Sequence, residues 1–219
     1  VVLHKDVLTV SYKHRFEIKK YFKEVVGLYG IDHVSLDLVS PDGEMLFFSG
    51  TPSHGYEICS RGFGQYDGAI SPTYYKKFEF YWWKDVVHGR FNDEINYIRD
   101  IKHKFRHGFM LVRHWNDFYI IYSFATKTLN TEFPSVIVNH LNHLFGLGDY
   151  LYNEVRDTYA EYTGVHKPPK ITQFYPFEGG APQARYDDQY ELSKGGILLK
   201  ENASLVSSGP LRLVVNNNI

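Results

Sequence analysis

The run Tyr74-Tyr75-Lys76-Lys77-Phe78-Glu79-Phe80-Tyr81-Trp82-Trp83 decides how this chain is to be folded. Seven of its ten residues are aromatic, and two of the chain's three tryptophans stand side by side. Ser71-Pro72 just ahead supplies an N-cap and a first helical residue, so the run reads as a helix launched at Pro72. A helix with rings on every side cannot bury them all against one core face. The segment therefore needs two partners: the domain's own core, and either a small ligand, a second chain or another layer of the same fold.

Upstream, residues 50–72 are rich in Gly, Ser and polar side chains, including Arg61-Gly62-Phe63-Gly64-Gln65 and Asp67-Gly68. They read as an extended surface loop, long enough to cover a site. Ahead of it, Val34-Ser35-Leu36-Asp37-Leu38 alternates as a half-buried strand should, Ser40-Pro41-Asp42-Gly43 has turn chemistry, and residues 45–48 return as the second strand of a hairpin. Before that, a helix is expected from a cap at Ser11 to a stop at Gly30. It carries apolar Phe16, Phe22 and Val25, and a solvated row of Lys13, Arg15, Lys19, Lys20 and Lys23.

Downstream, a helix is expected over residues 92–107, with Ile95, Ile98 and Phe105 on one stripe. Residues 109–112 and 118–124 are almost continuously apolar strands around an Asn116-Asp117 turn, which places them mid-sheet with both faces covered. Pro134 opens the longest helix, running to Tyr162, with a kink expected at Gly146 and Gly148. Lys167-Pro168-Pro169-Lys170 and Gly179-Gly180 mark residues 164–190 as a Pro/Gly-rich linker, and residues 191–219 form a tail. The order describes an α+β domain over residues 1–163: an α-β-α sandwich of the PAS or GAF kind around a central antiparallel sheet.

Composition narrows the function. At 219 residues, with 43% hydrophobic and 22% charged side chains, the chain can build a full core. A formal charge of −1 gives no general electrostatic grip on nucleic acid or an anionic membrane. The single cysteine, Cys59, permits no internal disulfide, and no apolar run approaches the roughly 18 residues of a membrane span, so a cytoplasmic setting is expected. The 17% aromatic content points to a thick core, a ligand cavity or a large interface.

Catalytic and metal chemistry find little support. His103 and His107 are four apart and His140 and His143 three apart on expected helices, but neither pair sits in a tight metal-binding motif. Cys59 has His54 nearby in sequence and no signature of a nucleophile around it. Gly62-x-Gly64 follows no strand, so it is not a dinucleotide fingerprint. No enzyme, cofactor or metal is expected. The aromatic run is the better candidate, because rings can enclose an apolar ligand while Tyr hydroxyls, Trp ring N–H groups and Asp85 orient its polar end. Whether those rings wall a pocket or only fill a core or a dimer contact stays open at this point.

Ser71-Pro72-Thr73-Tyr74-Tyr75-Lys76-Lys77-Phe78, Phe105-Arg106-His107-Gly108-Phe109-Met110-Leu111-Val112 and Ile120-Ile121-Tyr122-Ser123-Phe124-Ala125, in this order of elements, resemble the N-terminal signal-binding domain of LuxR-type quorum-sensing transcription regulators. The resemblance is diffuse and spans roughly residues 15–157. It implies that Tyr75, or Tyr74 in the adjacent register, stands for the family's pocket Trp, and that Phe78 or Glu79 falls near its pocket Tyr. Asp85 is then nearest to its Asp, and Ser123 holds the strand position whose hydroxyl faces the signal. The pocket Trp and Tyr are replaced here, the Asp is not followed by Pro, and the downstream Pro-Phe-x-Trp segment is absent, so the resemblance implies an amphipathic signal without specifying an acyl-homoserine lactone.

Tyr190-Glu191-Leu192-Ser193-Lys194 resembles the opening of the family's helix-turn-helix. Gly195-Gly196 follow it, and the expectation is a remnant tail at 191–219 lacking a complete helix-turn-helix, with no nucleic acid bound by this chain alone. The expected ligand-binding set is Tyr74, Tyr75, Phe78, Tyr81, Trp82, Trp83, Asp85, Trp115 and Ser123. The expected partners are a small amphipathic signal molecule and a second subunit, as a homodimer or as a heterodimer with a related regulator. The rival reading is an interaction module, an antagonist that dimerises with full-length regulators without ligand through the apolar stripe of the helix from Pro134.

Overall fold

The aromatic run is not one helix. In the computed structural model, which describes residues 1–87, 89–164 and 169–172 and the backbone of 198–199 and 213–214, Ser71 caps a single short helix, α4 (Pro72–Tyr75), by accepting from the Thr73 N–H. The chain then turns extended as β4 (Phe80–Trp82). The reason is legible in the side chains. Phe80 and Trp82 pack into one apolar cluster, while Tyr81 and Trp83 pack into another. Such period-two division of bulky rings suits a strand with both faces covered, not a helix. Of the three partners open to these rings, the fold supplies another layer of itself.

Preceding β4 are β1 (Val2–Leu3), β2 (His33–Val39) and β3 (Glu44–Ser49), and following it are β5 (His107–Trp115) and β6 (Phe118–Thr126). Among the described residues these form one six-stranded sheet in the order β1-β3-β2-β6-β5-β4. All neighbours are antiparallel except β1, which runs parallel to β3. The hairpins expected at residues 40–43 and 116–117 are present, and β5 and β6 are interior strands as their apolar character required.

One row across the sheet, Phe48–Leu36–Tyr122–Leu111–Phe80, is fully buried. It faces α1 (Val7–Lys13), α2 (Arg15–Phe22), α6 (Phe133–Asn139) and α7 (Leu141–Thr163), whose Val10, Phe22, Ile137, Leu144 and Leu151 complete that core. The opposite face is covered by α3 (Pro52–Ser60), the 3-10 turns Gly64–Tyr66 and Gly68–Ile70, α4, α5 (Asn92–Asn96) and a π-helical turn, Tyr97–Lys102. Two helical layers around an antiparallel sheet make the expected α-β-α sandwich.

Several boundaries differ from expectation. Helix α1 begins at Val7, so Ser11 lies buried inside it rather than capping it, and His14 separates it from α2. Residues 50–72 are not an extended loop but fold as α3 and two 3-10 turns, with Pro52 in the first turn after Thr51. The helix expected over 92–107 stops at Lys102, and the His103 N–H bonds to the Ile98 carbonyl at the close of the π turn. The longest helix breaks at His140, not at the glycines. Helix α7 runs through Gly146 and Gly148 because a Cβ at Gly148 would lie 2.4 Å from the Tyr122 ring. That close approach to the sheet offsets the weak helix propensity of glycine. Beneath it, buried Asp149 takes a bidentate pair from Arg113 (2.6 and 2.8 Å) and a hydrogen bond from the Tyr122 hydroxyl (2.7 Å), fastening α7 to β5 and β6.

Within the expected linker, residues 169–172 are held against α7. The Tyr152 hydroxyl donates to the Pro169 carbonyl (2.6 Å), and Asn153 exchanges two hydrogen bonds with the Ile171 backbone. A two-residue antiparallel pairing joins β7 (Leu198–Leu199) to β8 (Leu213–Val214), where no strand was expected. The expected helix-turn-helix remnant at Tyr190-Glu191-Leu192-Ser193-Lys194 lies outside the described residues. Among the described residues no helix is long and apolar enough to cross a membrane.

Candidate functional site

The face of the sheet under α3 is interrupted by small and polar side chains. Register places Ser49, Ser35 and Ser123 side by side on β3, β2 and β6, followed by Met110 and Tyr81. One step along β2, Asp37 lies between Phe47 and Ile121. Three serines in a row leave space that larger side chains fill elsewhere in this sheet. The result is a cavity of about 50 Å³, floored by the serines and Asp37 and roofed by His54, Gly55, Ile58 and Cys59 of α3. The roof sits low because Gly55 has no side chain; a Cβ there would lie 2.6 Å from the Phe47 ring.

Charge enters from the side. Two adjacent residues of the π turn, Ile98 and Arg99, are both buried, which that looser winding permits, and Arg99 reaches the cavity wall. Its guanidinium bonds Asp67 at 2.6 Å and lies 4.3 Å from the centre of the Trp83 ring. Asp67 also accepts from the Ala69 N–H (3.0 Å), and the buried Tyr81 hydroxyl donates to the Ala69 carbonyl (2.6 Å). The Trp83 ring N–H points at the Met110 sulfur, 3.2 Å away.

Asp37 and the histidines are less well satisfied. Asp37 is 8% exposed, borders the cavity and accepts no hydrogen bond among the described residues. Burial, helped by the negative charge of Asp67, pushes its pKa up to about 7. His54 stacks on Trp83 and meets His33 and His103 edge-on at 5.1 Å each. Its Nε2, and both ring nitrogens of His33, have no hydrogen-bond partner among the described residues. Burial holds both imidazoles neutral, lowering His33 to about 3 and His54 well below its ordinary value. Each such orphaned group costs on the order of 1–3 kcal/mol.

The expected site residues divide. Trp83 and Ser123 line the cavity. Tyr81 and Tyr75 are buried in the same layer, Tyr75 against the Tyr119 ring at 4.9 Å. Tyr74 and half-buried Phe78 pack together nearer the surface, where the Tyr74 hydroxyl accepts from the Val87 N–H (2.8 Å) and donates to the Asp85 carbonyl (3.5 Å). The side chain of Asp85 is exposed. Trp82 is on the other face of the sheet, edge-on to Phe80 and Phe109, and Trp115 is 53% exposed at the end of β5.

Ser35, Asp37, Ser49, Asp67 and Arg99 were not expected at a site. For the first two a signal existed: they alternate with Val34, Leu36 and Leu38 in a strand now buried on both faces.

The weaker chemistries are also resolved. Burial pushes the Cys59 thiol up to about 12, the reverse of what an activated nucleophile needs. His103 follows the end of its helix and His107 begins β5, where it stacks on Phe133, so the two do not share a helix face. His143 is engaged by the Tyr29 hydroxyl (2.9 Å). Among the described residues no cluster of three or more His, Cys, Asp or Glu is arranged to hold a metal ion.

No protein-family model matches the sequence, and no curated protein matches it. Solved structures do. The crystal structure of Escherichia coli SdiA is similar to this chain at a TM-score of 0.44 and 14% identity, over 69% of this chain and 67% of that one. SdiA in complex with octanoyl-rac-glycerol is similar at a TM-score of 0.44 and 12% identity, over 79% of this chain and 67% of that one.

Proposed function

We propose that this chain is a cytoplasmic sensor domain of LuxR type, acting in transcription regulation by binding a small amphipathic signal molecule in the cavity beneath α3. One observation carries the reading: a buried carboxylate, Asp37, and the unbonded Nε2 of His54 border a hollow in a sheet that is otherwise packed with large apolar side chains. A core selected for stability alone fills such a space and avoids such groups; departures from that consistency mark functional sites.

A ligand whose polar end bonds Asp37, His54 and Ser123 relieves the penalty, and its apolar part lies among Phe47, Ile58, Trp83 and Met110. About 50 Å³ holds a small polar head but not a chain of several carbons, so binding requires α3 and the 3-10 turns after it to move outward. Ligand then adds burial inside the sandwich and stabilises the fold by linkage.

The test is a thermal shift with octanoyl-rac-glycerol as probe, beside native mass spectrometry of the purified protein for a co-purified small molecule. Wild type gains melting temperature and Asp37→Asn does not. Absence of both a shift and a co-purified molecule overturns the proposal.

A homodimer, or a heterodimer with a related regulator, belongs to the same proposal, but not through α7. Its stripe Leu144, Leu151, Val155 and Tyr159 is buried on the chain's own sheet. Among the described residues the two most exposed rings, Tyr12 and Phe16, lie close together in sequence on α1 and α2, ahead of Tyr56, Tyr97 and Trp115 in exposure. Light scattering of wild type and of Phe16→Glu reads this directly: a dimer that Phe16→Glu dissociates supports that face.

A further inference from the structure

Three histidines from three elements come together where α3 rests on the sheet: His33 of β2, His54 of α3 and His103 after the π turn. His54 meets the other two edge-on at 5.1 Å, and the three rings surround Phe105 with centres 5.0, 5.4 and 5.7 Å from it. Both ring nitrogens of His33 and the Nε2 atoms of His54 and His103 are buried without a hydrogen bond among the described residues. Such packing suits a neutral imidazole, not an imidazolium, whose two N–H groups both need acceptors.

The charged groups around the rings offer no relief. Arg99 and Lys102 of the π turn and Lys127 just after β6 add positive charge. Of the carboxylates, Asp67 holds Arg99 at 2.6 Å, while Glu57 holds Lys102 at 2.6 Å and Arg61 at 3.0 Å and stands 4.0 Å from His103. Asp37, which lines the same cavity as His54, loses its own charge as pH falls through about 7. Helix α3 is also lightly held: of its nine residues only His54 and Ile58 are buried.

We propose that this trio is an acid-sensitive latch: protonation of the buried imidazoles lifts α3 from the sheet and opens the cavity beneath it. In the closed form burial keeps His33 at about 3 and His54 well below 6.5; in the open form each regains its ordinary value and takes up a proton. A group lowered in this way favours the closed form above 6.5, and that preference is lost as pH falls. The larger core, beneath α1, α2, α6 and α7, contains none of these rings, so the opening is local. That the opened cavity admits a signal molecule rests on the sensor reading; the opening itself does not.

Cys59, the chain's single cysteine, lines the cavity from α3, so its thiol reports the opening. The full chain is treated with 2,2′-dipyridyl disulfide, which reacts with thiols in acid, between about pH 7.5 and about pH 5.5, and each rate is divided by that of glutathione at the same pH. No signal molecule is present, so the outcome is separate from that of the thermal shift with octanoyl-rac-glycerol. One imidazole regaining its ordinary value on opening raises the corrected rate about tenfold over this range. A rise of at least about tenfold is therefore expected while tryptophan fluorescence stays native. His54→Phe is expected to reduce the rise about tenfold, and His33→Phe does the same and serves where His54→Phe shows no melting transition. A flat corrected rate, a rise unchanged in a folded variant, or a rise seen only with loss of native fluorescence each overturns the proposal.

Discussion

Replacing Asp37 by Asn is expected to make the protein more stable and less responsive at once. The carboxyl is 8% exposed, lies between Phe47 and Ile121 across the sheet, and has a pKa near 7, against an ordinary value of 3.8, chiefly through burial. Because the folded pKa is raised, the folded state binds the extra proton between those two values. Stability from this group is therefore lost as pH rises through that window and stays lost above it. Three units at roughly 1.4 kcal/mol each put the upper limit near 4 kcal/mol at pH 8.

Asn keeps the shape and never ionises, so its advantage grows by about 3 kcal/mol between about pH 5 and pH 8. Urea unfolding followed by tryptophan fluorescence at both pH values measures it. An advantage that is equal at both, or a loss of stability at pH 8, refutes the account of a buried and unpartnered carboxylate. A gain at pH 8 together with a retained thermal response to octanoyl-rac-glycerol leaves the electrostatics standing and removes Asp37 from the ligand site.

The histidines act with the opposite sign. His33 is lowered to about 3 by burial, so its contribution is complete above the unfolded value of 6.5 and is lost as pH falls from there toward 3; His33→Phe should reduce the slope of stability against pH in that range by about 1.4 kcal/mol per unit. Asp149→Ala leaves the Arg113 guanidinium facing a dry interface and should cost about 3–5 kcal/mol in urea unfolding. Gly148→Ala places a methyl 2.4 Å from the Tyr122 ring and should cost about 1–3 kcal/mol in urea unfolding; unchanged stability refutes the role given to this close approach.

How much of this was legible beforehand follows from which forces are local. The hairpins at residues 40–43 and 116–117 and the sandwich itself could be read, because turn chemistry and apolar alternation are written in neighbouring residues. The aromatic run was misread because Ser71-Pro72 correctly announces a helix whose short length only tertiary pairing with β5 decides. Helix α3 was missed because its sequence carries His54 and Gly55, which make sense only against the Phe47 ring and the cavity. The site was hidden for a related reason. Ser35 and Asp37 look like the solvent side of a half-buried strand until β2 is known to be covered on both faces. Burial turns that ordinary alternation into an anomaly. An exposed Asp37 would signify little, whereas the same residue under α3, beside an ion pair that already satisfies Asp67, carries a burial penalty that raises its pKa, and the proposed ligand is read from that penalty.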